Sequence, residues 1–308
     1  MKVCIKGRNS IQSSSALWHF IQGHLLETLF LLHSHSVNYS DPNTQVYFEV
    51  SRQTRMYMKF FDFYNQVFHN RPLIANCDGI GNYFSFPKLE WHVNRTDARL
   101  EFKSAQYTSL ISTCKSIPHL LPQNRDSERQ RFATFVMRQG KRRILNRKDV
   151  EIELHRFSSS HNLQNNSYFL EKLSIRAQVS LLQRTQLLVS YHGSGIGAGH
   201  IWMPINSIVI EALPPKWPYC IFASCAYASN KRYILSSQSG DNTSDVWKRG
   251  GFTSPFAGPE HSRSFDASLS LEVASRILRG EVVNENACGR RAIQVWESTE
   301  KIADRPSV

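Results

Sequence analysis

A chain of 308 residues, 41% hydrophobic and 20% charged, holds enough apolar material for a sizeable core and falls outside the disordered, charge-rich class. Its formal charge of +12 favours anionic partners: nucleic acid, anionic membrane surfaces or phosphorylated small substrates. No run of about 18 apolar residues exists to cross a membrane, and the start, MKVCIKGRNSIQSSS, lacks a signal-peptide core, so a luminal destination calls for a targeting segment these residues do not contain.

In chain order, residues 15–33 pattern as a helix, with Ser13, Ser14 and Ser15 as candidate N-caps. Leu17, Phe20, Ile21, His24, Leu25, Thr28, Leu29 and Leu32 fall on one side and Gln22 and Glu27 nearer the other, the spacing of a core-facing helix. Residues 46–50 read as a strand, 53–68 as an aromatic-rich helix and 71–76 as a strand. An irregular stretch through Gly79 and Gly81 precedes a further helix at 99–112. Pro118, Pro122 and the polar residues 123–130 read as a linker.

Beyond the linker come a strand at 131–138, a basic loop, and a helix or strand over 149–157. A polar loop is expected at 158–166 and a helix at 167–184. Residues 187–190 form an apolar run of the kind that becomes a buried parallel strand, and 207–213 another. Between them sit a glycine-rich bend and a short apolar turn or helix at 201–204. A helix at 216–228 and a last strand at 232–235 follow. After Gln238 the composition shifts to Ser, Gly, Asn and Asp; 267–279 patterns as a helix, and residues 289–308 carry little signal. Strands alternating with helices imply parallel sheets and right-handed crossovers, here in two α/β halves with a cleft between.

Cys4, Cys77, Cys114, Cys220, Cys225 and Cys288 include no CxxC pair, which argues against a thiolate zinc site. Their even number permits disulfides, and sequons at Asn38, Asn94, Asn165 and Asn242 favour a luminal location slightly.

Two stretches carry chemistry. The first, FVMRQGKRRILN (135–146), places Arg138 at the carboxyl end of a strand and Arg142 and Arg143 just after a turn. Guanidinium forks match phosphate oxygens bidentately, and open α/β sheets bind ligands at the carboxyl ends of their strands; a solvated basic loop is the plainer alternative. In the second, VSYHGSGIGAGHIWMPINSIVIEALP (189–214), Gly193, Gly195, Gly197 and Gly199 bend the chain between a strand and a helix start. Either this is a tight turn, or it is a cradle in which His192, Ser194 and backbone N–H groups meet an anion. Glu211, at the end of the next strand, is placed to accept from a sugar or ribose hydroxyl. HGSG resembles esterase oxyanion loops, but no G-x-S-x-G elbow supplies a nucleophile. G-x-G-x-x-G, a Walker lysine and D-x-D are all absent, so positive side chains are left to neutralise a diphosphate.

Taken in order, these blocks, with LSIRAQVSLLQRTQLL (173–188) and its central Gln between them, resemble glycosyltransferase family 61. The resemblance covers about the middle third of the chain, and the segment around His19 and Phe20 weakly resembles an N-domain His-Phe segment of that family. It implies a GT-B arrangement, two Rossmann-like domains facing across a cleft: residues 1–125 on the acceptor side and 126–240 binding the nucleotide sugar. Residues 241–308 would be an extension, partly helical and otherwise poorly ordered. The resemblance further implies an inverting transfer of GlcNAc or a pentose from a UDP-sugar to a hydroxyl of a glycoprotein or glycan in the endoplasmic reticulum or Golgi. No cofactor or divalent metal is expected, nor nucleic acid, and membrane association only through a segment outside this chain.

Carried over by position, Arg138 with Arg142 or Arg143 would hold the diphosphate, and Asn146 belongs to the same block. His192, Gly193, Ser194 and Gly195 would line it, with Glu211 near the nucleoside. Family members often place an acidic residue shortly after the N-domain His as acceptor base; here Gln22 and Gly23 stand there. His19, His24 or Glu27 would then serve as base, unless the base lies elsewhere or the protein binds a UDP-sugar without turnover.

Overall fold

In the computed structural model the described residues are 1–6, 25, 27–39, 41–49, 73–75, 77, 83–85, 114, 130–139, 143–213, 221–238, 263–284 and 293–297. The first of two sheets is built from β1 (Lys2–Lys6), β2 (Gln45–Glu49), β3 (Leu73–Ala75) and β4 (Tyr83–Ser85). Their order is β3-β2-β1-β4, every pair parallel. Helix α1 (Glu27–Ser34) buries Thr28, Leu29 and Leu32 completely, with Leu25 just before it, the face its spacing predicts. The rest of the expected helix at 15–33, with His19 and His24, lies outside the described residues, as do the helices expected at 53–68 and 99–112. β1 and β4 have no counterpart in the sequence reading. In β1 the buried trio Val3, Cys4 and Ile5 is bounded by lysines, too short an apolar run to register as a strand.

The second sheet has six strands in the order β10-β9-β8-β7-β5-β6, again all parallel. They are β5 (Phe132–Met137), β6 (Gln164–Phe169), β7 (Thr185–Tyr191), β8 (Ile208–Ala212), β9 (Arg232–Gln238) and β10 (Ile293–Glu297). Central parallel strands are covered on both faces, and β7 and β8 are accordingly buried at every position. On one face Phe135, Val189, Tyr191, Ile210 and Ile234 pack against α2 (Arg147–Ser160) and α6 (Ser268–Leu278). On the other, Val136, Leu188, Val209 and Tyr233 pack against α3 (Ile175–Leu182), α4 (Ser194–Gly199) and α5 (Ile221–Ala228). The cluster on that second face continues into Val3, Ile5 and Phe48 of the first sheet.

Three expectations need correction. The polar loop at 158–166 is instead the last turn of α2 followed by β6. Ser158, Ser159 and Ser160 fit a helix end because their hydroxyls donate back to carbonyls of Leu154, His155 and Phe157. The helix at 167–184 begins only at Ile175, where Ser174 caps it by accepting from Ala177 N at 3.3 Å. The residues before it complete β6, which reads as polar because an edge strand pairs with β5 alone and stays partly exposed. After residue 240, α6 matches the helix expected at 267–279 and covers the second sheet, while β10 adds a strand beside β9 where little signal was expected.

Two disulfides form, Cys4–Cys77 within the first sheet's neighbourhood and Cys114–Cys225 onto α5; none of the described cysteines is free. Among the described residues no helix is long and apolar enough to cross a membrane.

Candidate active site

β8, β7 and β5 lie side by side and end together, and each delivers one polar side chain at or beside its carboxyl end. Arg138 follows β5, His192 follows β7 and Glu211 is the penultimate residue of β8. Arg138 Nη1 donates to the His192 carbonyl at 2.6 Å. Its guanidinium lies directly on Gly193, where a Cβ would sit 1.9 Å from Nη1 and where φ is +151°, so only glycine fits. The His192 amide donates to Ala212 O at 2.9 Å, carrying the β7–β8 ladder one residue further.

The His192 ring is held from two directions, by a carboxylate and by a stacked ring. Nδ1 donates to Glu211 Oε1 at 2.5 Å, and the Tyr233 hydroxyl donates to Oε2 at 2.9 Å, so both oxygens of a carboxylate with no exposed surface are engaged. Phe222, from α5, stacks on the imidazole at 5.2 Å between ring centroids. Gly197 leaves room for that ring, since a Cβ there would come within 2.4 Å of Phe222 Cε1. Burial, then the charge of Glu211 and its hydrogen bond, push the Tyr233 hydroxyl well above its ordinary pKa and keep it a donor. Ser190 Oγ donates across to Val136 O at 3.0 Å and locks β7 to β5 beneath the site. The arrangement fixes an imidazole in one tautomer and one orientation beside a guanidinium, at the start of a glycine-rich helix.

The turn after β5 completes the edge. Arg143 is exposed, whereas the Asn146 amide is engaged at both ends by Phe265: Phe265 N donates to Oδ1 at 2.8 Å and Nδ2 donates to Phe265 O at 3.1 Å. Gln178, the central Gln of the middle block, donates to Leu173 O at 3.0 Å and so steadies the entry to α3.

The family model described as Glycosyltransferase 61 matches residues 17–210, well over half of the chain. The chain belongs to glycosyltransferase family 61. It is a transferase with a sugar donor and an acceptor as substrates. No individual curated protein matches it. The family 61 match takes in β5, β6, β7 and the glycine-rich helix, and it ends one residue before Glu211.

Of the residues singled out in this family 61 sequence, Arg138, His192, Gly193 and Glu211 come together directly, and Gly195 follows in the first turn of α4. Arg143 and Asn146 stand on the same edge of the sheet, and Ser194 opens α4. Arg142, His19 and His24 lie outside the described residues, and Glu27 begins α1, its side chain outside them too. Among the described residues no three His, Cys, Asp or Glu side chains gather as a metal site. Tyr233, Phe222 and Phe265 were missed. Tyr233 had a faint signal, a polar-tipped residue near the start of the strand RYILSSQ beside IVIEA; Phe222 falls inside the helix expected at 216–228 and Phe265 just before the one expected at 267–279, with nothing local to mark either.

Proposed function

We propose that the protein is an inverting, metal-independent glycosyltransferase that moves GlcNAc or a pentose from a UDP-sugar to a hydroxyl of a glycoprotein or glycan. One observation carries this: the carboxyl ends of three adjacent strands bring Arg138, His192 and the buried Glu211 into a single hydrogen-bonded group. As the bond from the anomeric carbon to the β-phosphate oxygen breaks, its electron pair leaves with the diphosphate, and fixed donors must meet the growing charge. Arg138 and Arg142 or Arg143 are the donors in this reading, and His192 lines the diphosphate with the backbone of Gly193, Ser194 and Gly195. Glu211 acts through His192, orienting the imidazole, because its carboxylate is wholly enclosed.

The acceptor oxygen attacks from the opposite side, and its proton passes to a base, for which His19, His24 and Glu27 are the candidates. Two Rossmann-like domains fit this division of labour, the first sheet on the acceptor side and the second binding the donor. The pairing of β10 with β9 supports extending the second domain of this reading, from about residue 126, as far as β10. The two disulfides support an oxidising compartment, in keeping with the endoplasmic reticulum or Golgi lumen.

The test is a donor screen by thermal shift and transfer assay with UDP-GlcNAc, UDP-xylose, UDP-arabinose and UDP, repeated with EDTA and on Arg138→Ala and His192→Ala. A shift with UDP that both variants lose, and turnover that survives EDTA, are expected. No response of the native protein to any of these ligands overturns the reading.

A further inference from the structure

We infer that Arg263–Phe265, beyond the family match, is a strap that positions the arginine turn of the donor site; the inference rests on the reading of that turn as the diphosphate's partner. The strap lies against residues 143–146 along its length. Arg263 N donates to Arg143 O at 3.1 Å and Leu145 N to Arg263 O at 2.9 Å, forming an isolated parallel bridge at Ile144. The two bonds between the Asn146 amide and the Phe265 backbone continue it. These four bonds all join residues more than a hundred apart in sequence, the separation at Asn146 being 119. Residues 143–146 are therefore held from outside their own segment.

The Arg263 side chain anchors the strap to the rest of the site. It is 5% exposed and donates Nε to Leu213 O at 2.8 Å, Nη2 to Ser236 O at 3.2 Å and Nη1 to Ser264 O at 3.1 Å. Leu213 lies just past β8 and Ser236 within β9, so a single planar fork ties the far strands of the sheet to the turn after β5. Phe265, 1% exposed, plugs the strap into the core beneath α2 and α6. Arg263 spends its fork on carbonyls that belong to the edge where the donor is read to sit. It acts on the ligand through Arg143, as a positioning residue rather than a contact.

The full-length chain is compared as native protein, Arg143→Ala, Arg263→Met and the double variant, with UDP affinity by calorimetry and with donor and acceptor KM and kcat. Arg263→Lys keeps the charge but not the fork and carries the same test if Arg263→Met does not fold. The strap predicts that Arg263→Met weakens UDP and raises the donor KM about tenfold, as loss of one charge-assisted contact does, with acceptor KM unchanged. In the Arg143→Ala background it should add nothing. A fall in kcat alone, with UDP affinity and both KM values native, marks a merely structural role and overturns the strap. So does an equal effect of Arg263→Met in both backgrounds. If Arg143→Ala itself leaves UDP affinity native, the reading of the arginine turn fails first and the strap's role with it.

Discussion

Gly193→Ala is the most direct probe of the donor edge, because two separate costs can be worked out for it. The added Cβ would lie 1.9 Å from Arg138 Nη1, far inside contact distance, so the guanidinium must leave the glycine and give up its 2.6 Å bond to the His192 carbonyl. A hydrogen bond from a charged donor contributes about 1.5–3 kcal/mol. Holding alanine at a φ of +151° adds about 1–3 kcal/mol of backbone strain. Together they come to about 2.5–6 kcal/mol in urea unfolding, against about 1.5–3 kcal/mol from loss of the same bond in Arg138→Ala. Because the same bond is lost in both, the double variant should cost no more than Gly193→Ala by itself. UDP affinity should fall in all three. Costs that add to within about 0.5 kcal/mol would mean the two residues are independent, and the close packing of Arg138 on Gly193 would not be what holds the edge together.

Other perturbations test the surroundings. Tyr233→Phe removes the donor to Glu211 Oε2 and leaves that buried oxygen short of a partner, which should cost about 1–3 kcal/mol by thermal or urea unfolding; native stability would contradict it. Gly197→Ala pushes Phe222 off the His192 ring, so turnover should drop, and Phe222→Ala should relieve its effect on stability. Lys231 and His200 are bases held down by burial, to about 7 and about 3, with Lys231's charge acting second on His200. Both bind protons better in the unfolded chain, so stability should rise with pH from about 3 to 6.5 through His200 and from about 7 to 10.5 through Lys231. Lys231→Met should flatten the upper slope and gain roughly 2–4 kcal/mol near neutrality, and a retained slope would point to other groups. Replacing Cys114 and Cys225 together reopens a loop of 111 residues and should cost about 4–5 kcal/mol; an unchanged urea midpoint would rule that out.

Much of the second sheet was readable because β5, β7 and β8 are buried on both faces and so carry short apolar runs, residues 135–137, 187–189 and 208–210, that stop close to Arg138, His192 and Glu211. The arginine and glycine blocks were legible for the same reason: each begins where such a run stops. β6 was not, because an edge strand written QNNSYF carries no burial pattern. Position alone does not reveal the partners of Glu211 and Asn146. A carboxylate near a strand end looks available to a ligand until register sets Tyr233 on the neighbouring strand against it. An asparagine beside arginines looks like a ligand contact until a distant segment occupies both ends of its amide. Such facts are properties of tertiary pairing, which no local window contains.

The Cys114–Cys225 bond also determines how the molecule would bear mechanical load. Pulled from its two ends, the chain would pass tension across the disulfide, so the strands from β5 to β8 and the site they carry would lie off the force path. Reduction would bring those 111 residues into the load-bearing chain and release roughly 370–400 Å of extra extension. The covalent closure likewise means that a single protease cut between the two cysteines would leave the fragments joined until a reductant is added.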